Sequence, residues 1–273
     1  MATPGRIRDT RFRHGWRQAM IRFASLGSGS KGNATLIEYH GTRLLVDCGF
    51  AVKEAEARLQ RLGIAPDSLD AILVTHEHGD HLGGVARYAR RHGTPVWITH
   101  GTFNAWNDPN VPALQRFSPH DSFRIGGIEV HPYPVPHDAR EPCQYVFAAG
   151  GQRLGILSDA GHVTPYMRAM LSDCDALMLE CNHDPQMLAR GPYPEALKRR
   201  VGGGLGHLSN LQSAALLATL GAGRLQHLVL THLSEVNNSP DLARGAVVAA
   251  LERDEEWIVC AGQDQGLDWR ELA

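Results

Sequence analysis

Short hydrophobic runs recur along the chain, and half of them end at a glycine, a proline or a charged residue. Apolar runs bounded by such turn signals predict buried β-strands. On this pattern we predict strands over residues 20–26, 34–39, 42–46, 71–75, 96–99, 122–125, 128–133, 143–149, 153–157, 176–179, 225–230 and 256–260.

Longer segments with apolar residues at helical spacing predict helices. These segments cover residues 52–62, 82–91, 211–220 and 240–253. Strands and helices alternate over residues 43–99, which is typical of an α/β layer structure. The sequence pattern over residues 100–120 predicts no more than a short helix. Because no change in composition divides the chain, we expect a single hydrolase domain over residues 20–273.

Charge is distributed unevenly along the chain. Of the 273 residues, 43% are hydrophobic, which is enough for a substantial core. Residues 1–22 contain six arginines and one aspartate, a charge of +5, so the rest carries −7 of the total of −2. We expect residues 1–19 to be a disordered basic extension; an over-long gene start before Met20 and a nucleic-acid-binding arm are the alternatives. The acidic body argues against a broad basic face for nucleic acid, but a narrow basic patch beside a metal site is compatible with it.

The cysteines indicate a reducing compartment. All five are scattered and none forms a Cys-x-x-Cys pair, which argues against a disulfide framework and against a thiolate zinc site. No apolar run is long enough to span a bilayer, and residues 1–19 lack the apolar segment of a secretory signal. We therefore predict a cytoplasmic protein with no membrane contact.

The densest group of metal-capable side chains follows the strand predicted over residues 71–75. His76, His78, Asp80 and His81 lie within six positions, and the nearby glycines let the backbone bend tightly. Clustering so many titratable groups costs free energy unless a cation offsets it. Imidazoles with a carboxylate suit zinc, and manganese and iron are also compatible. A lone histidine at a strand end would more often be structural, but the whole group predicts a metal site.

The His-x-His-x-Asp-His group after a hydrophobic strand resembles the signature of the metallo-β-lactamase superfamily. The resemblance implies a four-layer αβ/βα sandwich. It also implies two divalent metal ions: His76, His78 and His137 for one, Asp80, His81 and His232 for the other, and Asp159 bridging both. By itself Asp159 would more often be a helix cap.

Later segments narrow the resemblance to one branch of this superfamily. Glu180, Gly206-His207-Leu-Ser209-Asn210 and Leu230-Thr-His232-Leu-Ser resemble motifs of RNase Z-like phosphodiesterases. Together with Gly27-Ser-Gly-Ser-Lys-Gly-Asn33, Leu-Leu-Val-Asp-Cys-Gly and Asn-His-Asp, they resemble the YycJ/WalJ-like branch. That branch implies 5′ to 3′ exonuclease activity on DNA, with a metal-bound hydroxide attacking phosphorus. Asp80, Glu180 and His207 are then the catalytic residues, with Glu180 holding and polarising His207.

Polar residues near these motifs are candidates for substrate binding. The glycine-rich approach to the helix at residues 211–220 suits an anion, because a helix start has free amides and a positive dipole end. A plain N-cap is the alternative. The substrate-binding candidates are Ser30, Lys31, Asn33, His183, Ser209 and Asn210.

Other functions remain open at this level. A small-molecule cyclic phosphodiesterase resembling PhnP would share nearly all of these residues, and the acidic body favours it. A thioesterase of the same fold leaves the His207 region unexplained. A zinc-stabilised binding module does not need Asp159, His207 and His232 placed for chemistry. The sequence leaves open the native metal, the preference for DNA over RNA, and the oligomeric state, including a homodimer.

Overall fold

The computed structural model describes residues 20–221, 223–251 and 257–273. Their strands form two seven-stranded sheets. Across the first sheet, the order is β14 (Leu267–Glu271), β1 (Arg22–Gly27), β2 (Ala34–Tyr39), β3 (Thr42–Val46), β4 (Ala71–Leu73), β5 (Val96–Thr99) and β6 (Leu114–Phe117). Across the second, it is β13 (Ile258–Cys260), β12 (His227–Thr231), β11 (Ala176–Glu180), β10 (Gln152–Leu157), β9 (Cys143–Ala149), β8 (Ile128–Pro134) and β7 (Phe123–Ile125).

Each sheet is mixed. In the first, β14, β1, β2 and β3 pair antiparallel, and β3, β4, β5 and β6 pair parallel. In the second, β7 to β10 pair antiparallel, and β10 to β13 pair parallel. Parallel neighbours place their carboxyl ends at one edge, so both sheets offer a set of adjacent strand ends.

Helices flank the two sheets. They are α1 (Val52–Arg61), α2 (Gly79–Leu82), α3 (Val85–His92), α4 (His100–Ala105), α5 (Pro165–Leu171), α6 (Pro185–Arg190), α7 (Glu195–Val201), α8 (Asn210–Leu220) and α9 (Pro240–Leu251). None of the helices in the described ranges is long and apolar enough to cross a membrane.

Three apolar layers hold this arrangement together. Side chains such as Phe23 and Tyr145 pack between the sheets. Leu59 of α1 and Tyr88 of α3 pack on the outer face of the first sheet. Helices α5, α8 and α9 pack on the second sheet in the same way. The order helix, sheet, sheet, helix confirms the predicted α/β four-layer sandwich.

The structure differs from the predicted elements in two main places. The helix predicted over residues 82–91 begins only at Val85, as α3, and Gly83 and Gly84 separate it from the short helix α2. A Cβ on Gly84 would clash with the Phe50 carbonyl oxygen, so only glycine fits this close approach. Strands β6 and β14 were not predicted at all. The basic extension at residues 1–19, the end of the helix predicted over 240–253 and the first residue of the strand predicted over 256–260 lie outside the described residues.

Candidate metal centre

The predicted ligands come together at one edge of the sandwich because they follow neighbouring strands. His76 lies three residues beyond β4, and α2 then carries Asp80 and His81. Asp159 lies two residues beyond the parallel strand β10, and His232 directly follows the parallel strand β12. Since the two sheets face each other, these strand ends open onto a common space.

His76, His78 and His137 form the first cluster. Their ligand nitrogens lie within 4.8 Å of one another, and His137 Nε2 is 3.2 Å from His78 Nδ1. His76 Nε2 is buried and has no hydrogen-bond partner in the described structure. Three imidazole nitrogens converging on one point, one of them unsatisfied, fit a cation better than a network of hydrogen bonds.

Asp80, His81 and His232 form the second cluster, again with ligand atoms within 4.8 Å. Asp80 Oδ2 lies 3.4 Å from His81 Nε2 and 3.6 Å from His232 Nε2. His232 Nε2 is also buried without a hydrogen-bond partner among the described residues. Two clusters of nitrogen and oxygen donors with no thiolate fit divalent ions of the zinc or manganese type.

Asp159 lies between the two clusters. Its Oδ2 is 3.1 Å from His81 Nε2, and its Oδ1 is 3.9 Å from His137 Nε2. The backbone of Asp159 has a φ of 54°, a left-handed conformation in which aspartate is more common than most residues. The sharp turn after β10 thus aims one carboxylate at both groups of histidines.

A second set of acceptors orients the histidines. His81 Nδ1 contacts Asp47 Oδ2 at 2.8 Å, His137 Nδ1 contacts the Gly206 carbonyl at 3.0 Å, and His232 Nδ1 contacts Glu180 Oε1 at 3.1 Å. An acceptor at Nδ1 fixes the tautomer in which Nε2 carries the free lone pair, which is the form that binds metals. The protein therefore prepares these rings for a cation at Nε2.

The raised pKa values of two histidines in the clusters also favour a bound cation. Burial alone would lower the pKa of His232, but Asp159, Asp80 and Glu180 together raise it to about 10. Burial likewise opposes charge on His81, yet Asp159 and Asp47 raise its pKa well above the ordinary value. The carboxylates thus favour positive charge at these rings. A bound divalent cation would supply that charge in place of the protons.

Glu180 and His207 form a pair beside the clusters. The Glu180 carboxylate is fully buried, and its Oε2 accepts hydrogen bonds from the Ala160 and Leu208 amides. Its Oε1 lies 2.9 Å from His207 Nδ1. Although burial favours its neutral form, His207 and His232 lower the pKa of Glu180 to about 2. The carboxylate is therefore ionised, and it fixes His207 with Nε2 available to a ligand.

A cavity of about 370 Å³ adjoins these groups, and its two walls differ. One wall, here called the ligand wall, contains His78, Asp80, Asp159, His207 and His232. The other, here called the helix wall, consists of Tyr193, Leu197, Arg200 and Val201 from α7 and the turn before it. The cavity is at the small end of the range of about 300–1,000 Å³ for small-molecule pockets, which suits one monomer unit of a substrate.

Comparisons with known proteins agree with this geometry. A family model described as a β-lactamase superfamily domain matches residues 42–233. The chain is 36% identical over 236 residues to exodeoxyribonuclease YycJ of Bacillus anthracis, covering 85% of this chain and 89% of that protein. The chain belongs to the metallo-β-lactamase superfamily and to its YycJ/WalJ branch.

Two further members support the assignment to this superfamily. Exodeoxyribonuclease WalJ of Streptococcus pneumoniae strain D39 is 35% identical over 238 residues, covering 85% of this chain and 88% of the relative. The crystal structure of the metallo-β-lactamase fold protein YhfI from Bacillus subtilis matches with a TM-score of 0.71 at 16% identity, covering 92% of this chain and 99% of that one. At that identity the match shows the fold alone.

Within this superfamily fold, the predicted glycine and serine loop supports the ligands. Asn33 is nearly buried, and its Nδ2 lies 3.2 Å from Asp80 Oδ2 and 3.1 Å from His81 Nε2. Lys31 forms an exposed ion pair with Glu235 at 2.7 Å. Of the six substrate-binding candidates, only Ser30 lines the cavity. Through Asn33 the loop therefore contacts Asp80 and His81, and substrate binding by its residues stays a prediction.

The other predicted substrate residues are used inside the fold. Ser209 caps α8 and accepts from the Gln212 amide, while Asn210 pairs with Asn238 through two 2.9 Å hydrogen bonds. His183 is buried beside Asn182. The backbone amides of residues 206–210 all donate to groups within the protein. Ser209 therefore caps the start of α8, and an anion site in the glycine-rich approach to it stays a prediction.

Sequence reasoning missed three residues that shape the site. Asp47 accepts hydrogen bonds from the Thr75 amide and hydroxyl as well as facing His81. It directly follows a predicted strand, so the sequence placed it at a strand end, as it placed Asp159. Both residues have a positive φ, 60° for Asp47 and 54° for Asp159. Tyr193 carries no comparable signal. Arg200 belongs to the basic residues 198–200, whose charge favours an anion nearby, but only the packing of α7 shows which of them lines the cavity.

Proposed function

We propose that this protein is a dinuclear metal-dependent phosphodiesterase that degrades DNA as a 5′ to 3′ exonuclease. The observation that carries the proposal is His207, held by the buried Glu180 carboxylate, facing the same cavity as both ligand clusters. A plain metal-binding module has no use for such a pair. The two relatives named exodeoxyribonucleases support DNA as the substrate.

The proposed metal ions are two zinc or manganese ions. His76, His78 and His137 would hold one, Asp80, His81 and His232 the other, and Asp159 would bridge them. When bound, such ions lower the pKa of water and stabilise negative charge on a phosphoryl group. A cytoplasmic location agrees with the five free cysteines.

The protein's own residues complete the reaction. Asp80 Oδ2 receives a hydrogen bond from Asn33, which leaves its carboxylate, 24% exposed at the cavity, to orient an attacking water. Because Nδ1 of His207 is held by Glu180, Nε2 hydrogen-bonds a phosphoryl oxygen or gives a proton to the leaving oxygen. The leaving group departs as a neutral alcohol, and the proton returns to His207 from water.

The experiment is degradation of 5′-phosphorylated duplex DNA by the metal-loaded protein, with the label at either the 5′ or the 3′ end. A 5′ to 3′ exonuclease releases labelled mononucleotide at once from the 5′-labelled strand, and only late from the 3′-labelled strand. His207→Ala should slow this release by about 100-fold or more, since general acid–base groups contribute on the order of 10²–10⁴. His120→Ala removes an exposed histidine outside the cavity and should have no effect.

Two outcomes would contradict the proposal. Turnover of bis-p-nitrophenyl phosphate with DNA left intact would favour the small-molecule phosphodiesterase. Early release of the 3′ label would reverse the proposed polarity.

A further inference from the structure

The helix wall has the chemistry to recognise one nucleotide. Leu197, Arg200 and Val201 are spaced three and four residues apart, so they share one face of α7, and Tyr193 precedes the helix on the same side of the cavity. This wall combines apolar surface, an aromatic ring and a guanidinium. The metal-capable groups of the ligand wall line the same cavity, so a substrate that fills the cavity contacts both sets of residues.

Arg200 is positioned for an anion at the cavity mouth. Its Nε donates to Asp138 Oδ2 at 2.6 Å, and Asp138 Oδ1 lies 3.5 Å from His137 Nε2. The described residues give the two terminal nitrogens of Arg200 no hydrogen-bond partner. This pair of parallel N–H groups matches two oxygens of a phosphate.

Its neighbours on α7 do not share this role. The Lys198 ammonium is committed to the Ala189 carbonyl and to Glu195. Arg199 is exposed and does not line the cavity. Of the three basic residues Lys198, Arg199 and Arg200, Arg200 is therefore the one that a ligand in the cavity would contact.

Tyr193 offers an unoccupied aromatic face. The ring is partly buried at the cavity, and within the described ranges it has neither a ring contact nor a hydrogen bond of its hydroxyl. An aromatic side chain that stops at a cavity without packing on another ring suits stacking with a nucleobase, which every base can provide. A purely structural tyrosine would be expected to bury its ring against the core.

We propose that Tyr193 and Arg200 form a subsite for the terminal nucleotide, in which Tyr193 stacks on the base and Arg200 binds a phosphate oxygen pair. This inference rests on the proposed function, because it assumes that the substrate is a nucleotide chain. It adds the side chains that select a nucleotide over a simple phosphate diester.

The test is calorimetric titration of the manganese-loaded protein with thymidine 5′-monophosphate and, separately, with inorganic phosphate. Tyr193→Ala should weaken nucleotide binding by about 5- to 100-fold, the usual range for loss of one stacked base, and should change phosphate binding less than about twofold. Tyr193→Phe should restore nucleotide binding. Arg200→Gln should weaken both ligands by roughly tenfold, because both carry the anion. Arg199→Gln is the matched control on the same helix and should change neither.

The outcomes separate this subsite from the proposed function. Unchanged nucleotide binding in Tyr193→Ala, an equal loss for both ligands, or no nucleotide binding by the unsubstituted protein would overturn the subsite even if DNA is degraded. The expected losses in a protein that leaves DNA intact would support the subsite and reject the exonuclease.

Discussion

The ligand wall and the helix wall face the same cavity, but they are held in different ways. On the ligand wall, His81 is fixed by Asp47, His232 by Glu180, and Asp80 by Asn33. On the helix wall, Arg200 has one ion-pair partner and Tyr193 has none among the described residues. Redundant hydrogen bonding suits groups that must keep metal geometry, whereas a sparsely held surface can adapt to different bases.

Loss of a proposed ligand should have the largest effect. We expect His232→Ala to lower DNA degradation by about 1,000-fold, since a bound metal supplies several kcal/mol of transition-state stabilisation. Metal analysis should show one of the two ions lost. The control is His227→Ala, at the start of the same strand, where the ring contacts the Glu271 carbonyl and not the cavity. Two bound ions and full activity in His232→Ala would remove this residue from the ligand set.

Loss of an orienting group should have a smaller effect. Asp47→Asn places an amide where three donors converge, so one N–H meets another donor and His81 loses its fixed tautomer. We expect metal affinity to fall by about 10- to 100-fold, the usual cost of removing such a partner. Competition with a chelator measures this. Asp121→Asn, an exposed aspartate, should behave as the unsubstituted protein, and an equal loss there would indicate a general effect of charge.

Metal binding should also depend on pH. In metal-free protein the carboxylates raise the pKa of His232 to about 10 and that of His81 well above its ordinary value. Both rings therefore carry a second ring proton at pH 7, which a metal must displace. Metal affinity should then rise with pH by about tenfold per unit for each proton released. Calorimetry in buffers of different ionisation enthalpy counts these protons. An affinity that does not change between pH 6 and 8 would show that the rings are already neutral.

The smallest effect should come from substitution of Lys31, which is next to the cavity residue Ser30 in the sequence. Lys31 is exposed and paired with Glu235, so Lys31→Ala should change the rate of DNA degradation less than about twofold. Measured beside Arg200→Gln, this variant shows whether any cation near the site is sufficient. A loss in Lys31→Ala as large as that in Arg200→Gln would return Lys31 to the substrate-binding group.

Sequence alone predicted which side chains come together at the ligand wall, because several of them follow buried strands. The apolar runs before His76, Asp159 and His232 are strong signals, and residues at the ends of such strands meet at one edge. Asp47 also follows a buried strand, but it was noted only as part of the Leu-Leu-Val-Asp-Cys-Gly segment, and no role in the site was predicted for it.

The missed strands lie at the edges of the first sheet. β6 reads Leu-Gln-Arg-Phe and β14 reads Leu-Asp-Trp-Arg-Glu, and both have exposed positions. An edge strand carries charged residues that protect it from pairing with other chains, so it lacks an apolar run. The helix wall escaped prediction for another reason: its role depends on where α7 packs, which local sequence does not encode.

The bond from the His232 amide to the Ser28 hydroxyl joins residues 204 positions apart. A ribosome adds about 5–20 residues per second, so Ser28 waits roughly 10 to 40 seconds for its partner to be synthesised. β1 waits longer still for β14, which pairs with it through Arg22 and Glu271. A chain that has not yet reached His232 therefore cannot assemble both ligand clusters, and whatever chemistry the site performs begins only after that residue has been synthesised.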